Sequence, residues 1–340
     1  MKPRSRRTFG LALALVALAA GAGLAGARAA QERPAVPEDT LPRPLVRSAP
    51  PGAEAYEAGW TASDDEVELG RALFFEPGLS KDGTVACASC HRPELAFADD
   101  LALSLGVDGQ PTVRNTPSLF NKVLSTHVNW DGSAATLEDQ VLAPIDNPAE
   151  MALGVEGALA YLNGNREYSM RFAGTYGGEA TRERLAAALA AFVRALVVGD
   201  SPVDRFRRGE SQELSASERA GLWLYEGRGR CWKCHNGPNF SDESFHNTGV
   251  GVVDGAPEPG RFAVTADEAD RGAFRTPGLR LLTQSAPYMH DGSLTTLTDV
   301  VEFYRQGGNA NGQLSADLRP LDLSDEDVAH LVAFLEALSR

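Results

Sequence analysis

Apolar residues recur at helical spacing in two well-separated parts of this 340-residue chain. Leu185, Leu189, Phe192, Val193 and Leu196 make one stripe, and Val328, Leu331, Val332, Leu335 and Leu338 make the other. Steps of three and four bring such side chains onto one helix face, which predicts two core helices. Helix starts are equally legible. Ser63-Asp64-Asp65-Glu66 and Ser215-Ala216-Ser217-Glu218 read as capping boxes, in which serine and glutamate satisfy free N–H groups of a first turn. Ser324 with Asp327 three residues on starts the last stripe in the same way. Long Gly/Pro-rich connections separate these segments and predict loops. The pattern is that of a mostly α protein with long loops.

The chain also repeats itself. Asn115-Thr116-Pro117 precedes Trp130-Asp131-Gly132-Ser133 by fifteen residues, and Arg275-Thr276-Pro277 precedes His290-Asp291-Gly292-Ser293 by the same fifteen. Thr136-Leu137-Glu138-Asp139 then faces Thr296-Leu297-Thr298-Asp299 at the common offset of 160, without a gap. An internal duplication predicts two domains of one fold, 54–205 and 206–340.

Residues 1–29 read as a signal peptide: a basic start (Lys2, Arg4, Arg6, Arg7), an apolar run from Leu11 to Leu24, and Ala27-Arg28-Ala29 as a small-residue cleavage site. Ser5-Arg6-Arg7-Thr8-Phe9 also resembles a twin-arginine signal. Both routes lead to the periplasm, and no other long apolar stretch predicts membrane insertion after cleavage. Residues 30–53 are proline-rich with little periodicity, an extended leader rather than core. The formal net charge of −14 becomes −19 once the five basic residues Lys2, Arg4, Arg6, Arg7 and Arg28 are removed. Such a chain repels nucleic acid and anionic membrane surfaces and could attract a basic electron-donor protein.

All four cysteines fall in two pentads, Cys87-Ala88-Ser89-Cys90-His91 and Cys231-Trp232-Lys233-Cys234-His235. Cys-x-x-Cys-His is the attachment motif of c-type haem: the cysteines form thioethers, and the histidine binds iron from one side. Zinc would have to take three ligands from one turn, which rarely closes a tetrahedron. Two covalent haem c groups are therefore expected, one in each half, with His91 and His235 as iron ligands.

With both pentads, Arg114-Asn115-Thr116-Pro117, Asn129-Trp130-Asp131-Gly132, Glu150-Met151 and Ala286-Pro287-Tyr288-Met289-His290-Asp291-Gly292, the mature chain resembles the bacterial di-haem cytochrome c peroxidases, which include the MauG-type enzymes. The resemblance implies a peroxidatic N-terminal haem, an electron-transfer C-terminal haem, and a tryptophan relay at Trp130. It implies a catalytic glutamate at Glu150 and a pocket glutamine at Gln140. It also implies a calcium ion held by Asn115, Ser285 and Pro287, with Ser285 standing where a threonine is usual; carbonyl donors suit that ion. Hydrogen peroxide would be the substrate and a small donor, a cytochrome c or cupredoxin, the reductant. Some relatives are homodimers.

Two positions depart from the activatable peroxidases. The place of their distal histidine, within Ser104–Gly109, is Val107, which cannot bind iron. His127 reads as a loop or surface residue, and His246 and His290 as groups near haem propionates or loops. The N-terminal haem is thus expected to react without prior reduction. At the far side of the C-terminal haem, fourteen residues after His290, stands Tyr304, as in MauG-type enzymes, with Met289 as a competing ligand. Three functions are carried forward: peroxide reduction, MauG-like oxidation of a protein or organic substrate, and non-catalytic electron transport.

Overall fold

The computed structural model describes residues 35–43, 45, 48–53 and 61–340, so the expected signal peptide lies outside the described residues. Helix α1 (Asp64–Phe74) leads to the single turn α2 (Cys87–Cys90), followed by α3 (Leu137–Asp146), α4 (Val155–Gly164), α5 (Arg166–Tyr176) and α6 (Arg182–Ala195). Helices α7 (Pro202–Arg207), α8 (Ala216–Glu226), α9 (Phe262–Thr265), α10 (Leu297–Arg305) and α11 (Asp325–Ala337) come next in chain order. Strands β1 (Phe245–Asn247) and β2 (Ala273–Arg275) pair antiparallel, Phe245 opposite Arg275. Three residues per strand are too few to set up an alternation, so periodicity does not predict this ladder.

The predicted caps form. The Glu66 N–H donates to Ser63 Oγ at 3.2 Å and the Ser63 N–H to Glu66 Oε2 at 2.8 Å. Ser215 with Glu218 and Ser324 with Asp327 repeat the exchange at α8 and α11. Both predicted stripes are buried and belong to separate apolar cores. One runs from Val67 to Leu196 around Phe74, Phe97, Phe172 and Phe192; the other runs from Val203 to Leu338 around Tyr225, Phe240 and Phe334. In each core two helices touch backbone to backbone. A Cβ added at Gly70 of α1 would lie 1.9 Å from the Ala188 carbonyl oxygen of α6, and one at Gly221 of α8 would lie 2.0 Å from that of His330 in α11. Only glycine permits either crossing.

The duplication extends to backbone detail. Bridges Val128–Ala134 and Tyr288–Leu294 correspond at the offset of 160. Left-handed residues Asn121 and Leu281 (φ 59° each) correspond likewise, as do Asn129 and Met289 (66° and 71°). Thr136 Oγ1 donates to Asp139 Oδ2 at 2.6 Å at the start of α3, and Thr296 Oγ1 to Asp299 Oδ2 at 2.6 Å at the start of α10.

The described part of the proline-rich leader carries no helix or strand and is strapped to the first core. Val36, Leu41 and Leu45 pack on that core. The Arg71 guanidinium, 1% exposed, donates to both Asp39 oxygens at 2.5 and 2.6 Å and to the Leu41 and Pro42 carbonyls at 2.6 and 3.0 Å. Burial works to raise the Asp39 carboxyl, yet the bonds and charge of Arg71 hold it below the usual carboxylate range. Asp39→Ala should therefore leave a buried cation short of its counter-charge and cost ~3 kcal/mol at neutral pH. Because the folded pKa is the lower one, that difference should shrink as pH falls through and below about 4, where the wild-type pair is also lost. Denaturant melts of both proteins across that range check it.

Candidate haem sites and the seam between the halves

At the first pentad the turn α2 holds Cys87 and Cys90, and the His91 Nδ1–H donates to the Phe97 carbonyl at 2.8 Å. Burial lowers the His91 imidazole to about 4, so the ring is neutral and its Nε2 lone pair is left for a metal. The Phe74 ring lies with its centroid 6.4 Å from the imidazole and packs in turn on Phe97 and Phe192. The second pentad repeats the arrangement: the His235 Nδ1–H donates to Phe240 O at 3.0 Å, and burial lowers this imidazole too. None of the four cysteines is in a disulfide. Burial pushes the Cys87, Cys90 and Cys231 thiols up to about 12, disfavouring the thiolate and suiting an uncharged thioether. The donor set and the oriented histidines fit covalent haem.

Val107 and Glu150 meet near the first pentad. Val107 is buried, and its N–H donates to the Glu150 carbonyl at 2.8 Å. Gly106 permits this contact, since a Cβ there would lie 2.1 Å from Ala149 O and 2.6 Å from Glu150 Cα. Burial raises the Glu150 carboxyl, against a hydrogen bond from Asn147 Nδ2 to Oε1 at 2.6 Å. Glu150 lies close enough for its charge to act on both Cys87 and Cys90. Gln140, on α3, has a buried Oε1 without a protein partner, an orphaned acceptor of the kind a bound group would satisfy.

A cavity opens at the second pentad, lined by Cys231, Cys234, His235, Met289 and Tyr304. Burial pushes the Tyr304 phenol well up, and the charges of Cys234 and Cys231 act on it in the same direction. Tyr304 and Met289 thus line the same cavity. The candidate calcium residues Asn115, Ser285 and Pro287 line this cavity as well. Asn115 Nδ2 donates to the carbonyls of Leu101 and Ala102 at 3.0 and 3.3 Å.

Trp130 sits on the seam. Its indole N–H donates to Asn115 O at 2.8 Å, and its ring lies 6.3 Å from that of His290, its counterpart in the repeat. The His290 imidazole stacks on Phe274 at 3.6 Å and donates from Nε2 to Glu258 Oε1 at 2.5 Å, while Glu258 also pairs with Arg114 at 2.8 Å. His246 donates from Nε2 to Asp242 Oδ2 at 2.9 Å. His127 meets Phe245 edge-on and contacts Thr126, as suits a loop residue.

Sequence reasoning did not single out Asn147, Glu258 or Lys122. Lys122 lines the cavity from the first half, and burial lowers its ammonium to about 7, with Arg275 acting in the same sense. The Asn-Pro turn before Glu150 could have flagged Asn147. No local signal marks the other two, whose partners lie far along the chain.

The family model for di-haem cytochrome c peroxidase matches residues 64–212. The methylamine utilization protein MauG of Methylorubrum extorquens is 38% identical over 276 residues, covering 81% of this chain and 78% of that protein. The chain belongs to the di-haem cytochrome c peroxidase family. The cytochrome c551 peroxidase of Nitrosomonas europaea is 35% identical over 81% of this chain and 80% of its own length. A solved MauG-like protein associated with microbial copper homeostasis superposes with a TM-score of 0.76 at 32% identity, covering 88% of this chain and 95% of that one. As a family member the protein is a peroxidase-type oxidoreductase, and the family implies two haem c groups. No helix among the described residues is long and apolar enough to cross a membrane.

Trp130→Phe keeps an aromatic ring on the seam but removes the donor to the buried Asn115 carbonyl. It should cost about 1–3 kcal/mol by thermal or denaturant melting.

Proposed function

We propose that this protein reduces hydrogen peroxide to water in the periplasm at its N-terminal haem, with electrons from a small donor protein received through the C-terminal haem. The reading is carried by one observation: Glu150, a partly buried carboxyl raised by that burial, stands beside the first pentad, its backbone bonded to Val107, where activatable relatives have a distal histidine. Cys87, Cys90 and His91 would hold the first haem, and Cys231, Cys234 and His235 the second. When bound, the haems supply the two electrons that, with two protons, convert peroxide to two waters.

The residues do the rest. Glu150 takes the proton from one peroxide oxygen and returns it to the other as the O–O bond breaks, a task suited to a carboxyl raised by burial. The Gln140 amide would orient the bound oxygen; its buried Oε1 without a protein partner supports that role. Trp130 stands between the halves as the electron relay. Tyr304, rather than Met289, would help hold the second haem through its phenol; the interaction of that phenol with both cysteines of the pentad supports the choice. Asn115, Ser285 and Pro287, all of which line the cavity, would hold the calcium ion. A second reading, MauG-like oxidation of a protein or organic substrate, is favoured by Val107 and Tyr304 together and by the 38% identity to MauG.

Adding peroxide to the fully ferric protein should produce a rapid spectral change. Glu150→Gln should slow it by about 10²–10⁴-fold; an unaltered rate would remove Glu150 from the chemistry. Low-temperature EPR of the oxidised protein should show no bis-histidine signal from the N-terminal haem. Tyr304→Met should introduce the weak far-red absorption of methionine-ligated ferric haem, which the parent should lack. If instead the parent shows that band and Met289→Leu abolishes it, Met289 is the ligand. Steady-state assays with a small cytochrome separate the peroxidase from the protein oxidant.

A further inference from the structure

Glu150 is reached by a turn that one side chain organises. Asn147 ends α3, and its backbone carbonyl accepts the N–H groups of Glu150 and Ala152, both at 3.0 Å. Its side-chain Oδ1 accepts the Ala149 N–H at 3.0 Å. That bond fixes which way the amide faces: with Oδ1 committed to a backbone donor, it is Nδ2 that meets Glu150 Oε1 at 2.6 Å. Among the described residues, Asn147 is the one side chain that hydrogen-bonds the carboxylate.

We propose that Asn147 is the positioning residue of Glu150: it engages Oε1, turns Oε2 toward the peroxide, and sets how readily the carboxyl gives up its proton. The inference rests on the proposed role of Glu150 and names what tunes it. Burial favours the neutral acid, while a donated N–H favours the carboxylate. With both at work, Glu150 can be ionised when peroxide arrives and still hold the proton it takes. Other groups do little to disturb this balance. The titratable groups facing Glu150 are Cys87 and Cys90, which become uncharged as thioethers. Asp108, on the loop packed against the Glu150 backbone, is exposed to solvent.

The test uses two variants of the haem-loaded protein that keep the turn. Asn147→Ser retains a short oxygen to accept the Ala149 N–H but loses the donor to Glu150. Asn147→Asp retains the acceptor and sets a second carboxylate against the first, so that the pair shares a proton. The second-order rate constant with peroxide should rise with pH as Glu150 ionises. Its acid limb should move up by about one pH unit in Asn147→Ser and further in Asn147→Asp. An infrared carboxyl band, assigned to Glu150 by its loss in Glu150→Gln, should titrate with the same shifts. An equal loss of rate at every pH, with limb and band unmoved, would overturn the proposal and leave Asn147 a purely structural residue. Should Glu150→Gln react as fast as the parent, the role of Glu150 falls. The infrared shift in Asn147→Ser would then still decide whether Asn147 controls that carboxyl.

Discussion

Two backbone hydrogen bonds tie the halves together, and the rest of the arrangement depends on them. The Asn115 N–H donates to the His290 carbonyl at 2.8 Å, and the Arg275 N–H donates to the Trp130 carbonyl at 2.7 Å. Asn115 and Arg275 are 160 residues apart, as are Trp130 and His290. Each half thus offers the other the same donor and the same acceptor, and the seam closes as a two-fold contact between copies of one motif. Backbone bonds of this kind need no particular side chain, which leaves the side chains at the four positions free to differ. Trp130 and His290 use that freedom, standing edge to face in the middle of the seam.

The surroundings of the seam are buried and polar, so its geometry is over-determined. Arg275 is 3% exposed and spans the Glu243 carboxylate at 3.1 and 3.2 Å while reaching the Asn129 carbonyl at 3.3 Å. Arg261 donates to the carbonyls of Asp131 and Gly132, next to Trp130. Further out, Arg280 pairs with both Asp204 oxygens at 2.6 and 2.9 Å, and Asp204 in turn caps α7 through Ser201. Removing one member of such a pair strands a charge away from water, so each resists local opening far more than an exposed ion pair would.

What was legible in the sequence was what local chemistry decides. The capping boxes at Ser63, Ser215 and Ser324 need only residues three apart, and the stripes of α6 and α11 need only a turn or two of helix. Caps and stripes form as predicted, and the duplication extends to the backbone. Helices α4 and α5 give no such signal, because Gly154, Gly157, Gly164, Gly174 and Gly177 punctuate them. Tertiary burial of Val155, Leu162, Tyr168 and Phe172 overrides that composition. The leader was read as lying apart from the core because Arg71 finds Asp39 across 32 residues, a pairing that no pattern announces. His290 and Glu258 meet across the same separation, inside Gly/Pro-rich chain. Such pairings exist only once the fold has formed.

The repeat also explains how two similar halves can be given different chemistry by very few changes. Helices α3 and α10 correspond at the offset of 160, so Gln140 and Pro144 occupy the places of Val300 and Tyr304. Residues four apart share a helix face, and in the second half Val300 and Tyr304 both line the cavity at the pentad. In the first half the same face carries an amide and a ring with no donor atom. Pro144 cannot reach a metal as a phenol can, and its carbonyl is used to hold Met151, whose N–H donates to it at 3.0 Å. That bond draws the chain after α3 back on itself and brings Glu150, the neighbour of Met151, against Val107. Under the proposed function, a proline in place of the tyrosine would leave the first haem without a phenol ligand from this face, while the turn that carries Glu150 needs only the main-chain carbonyl of residue 144, which either residue supplies.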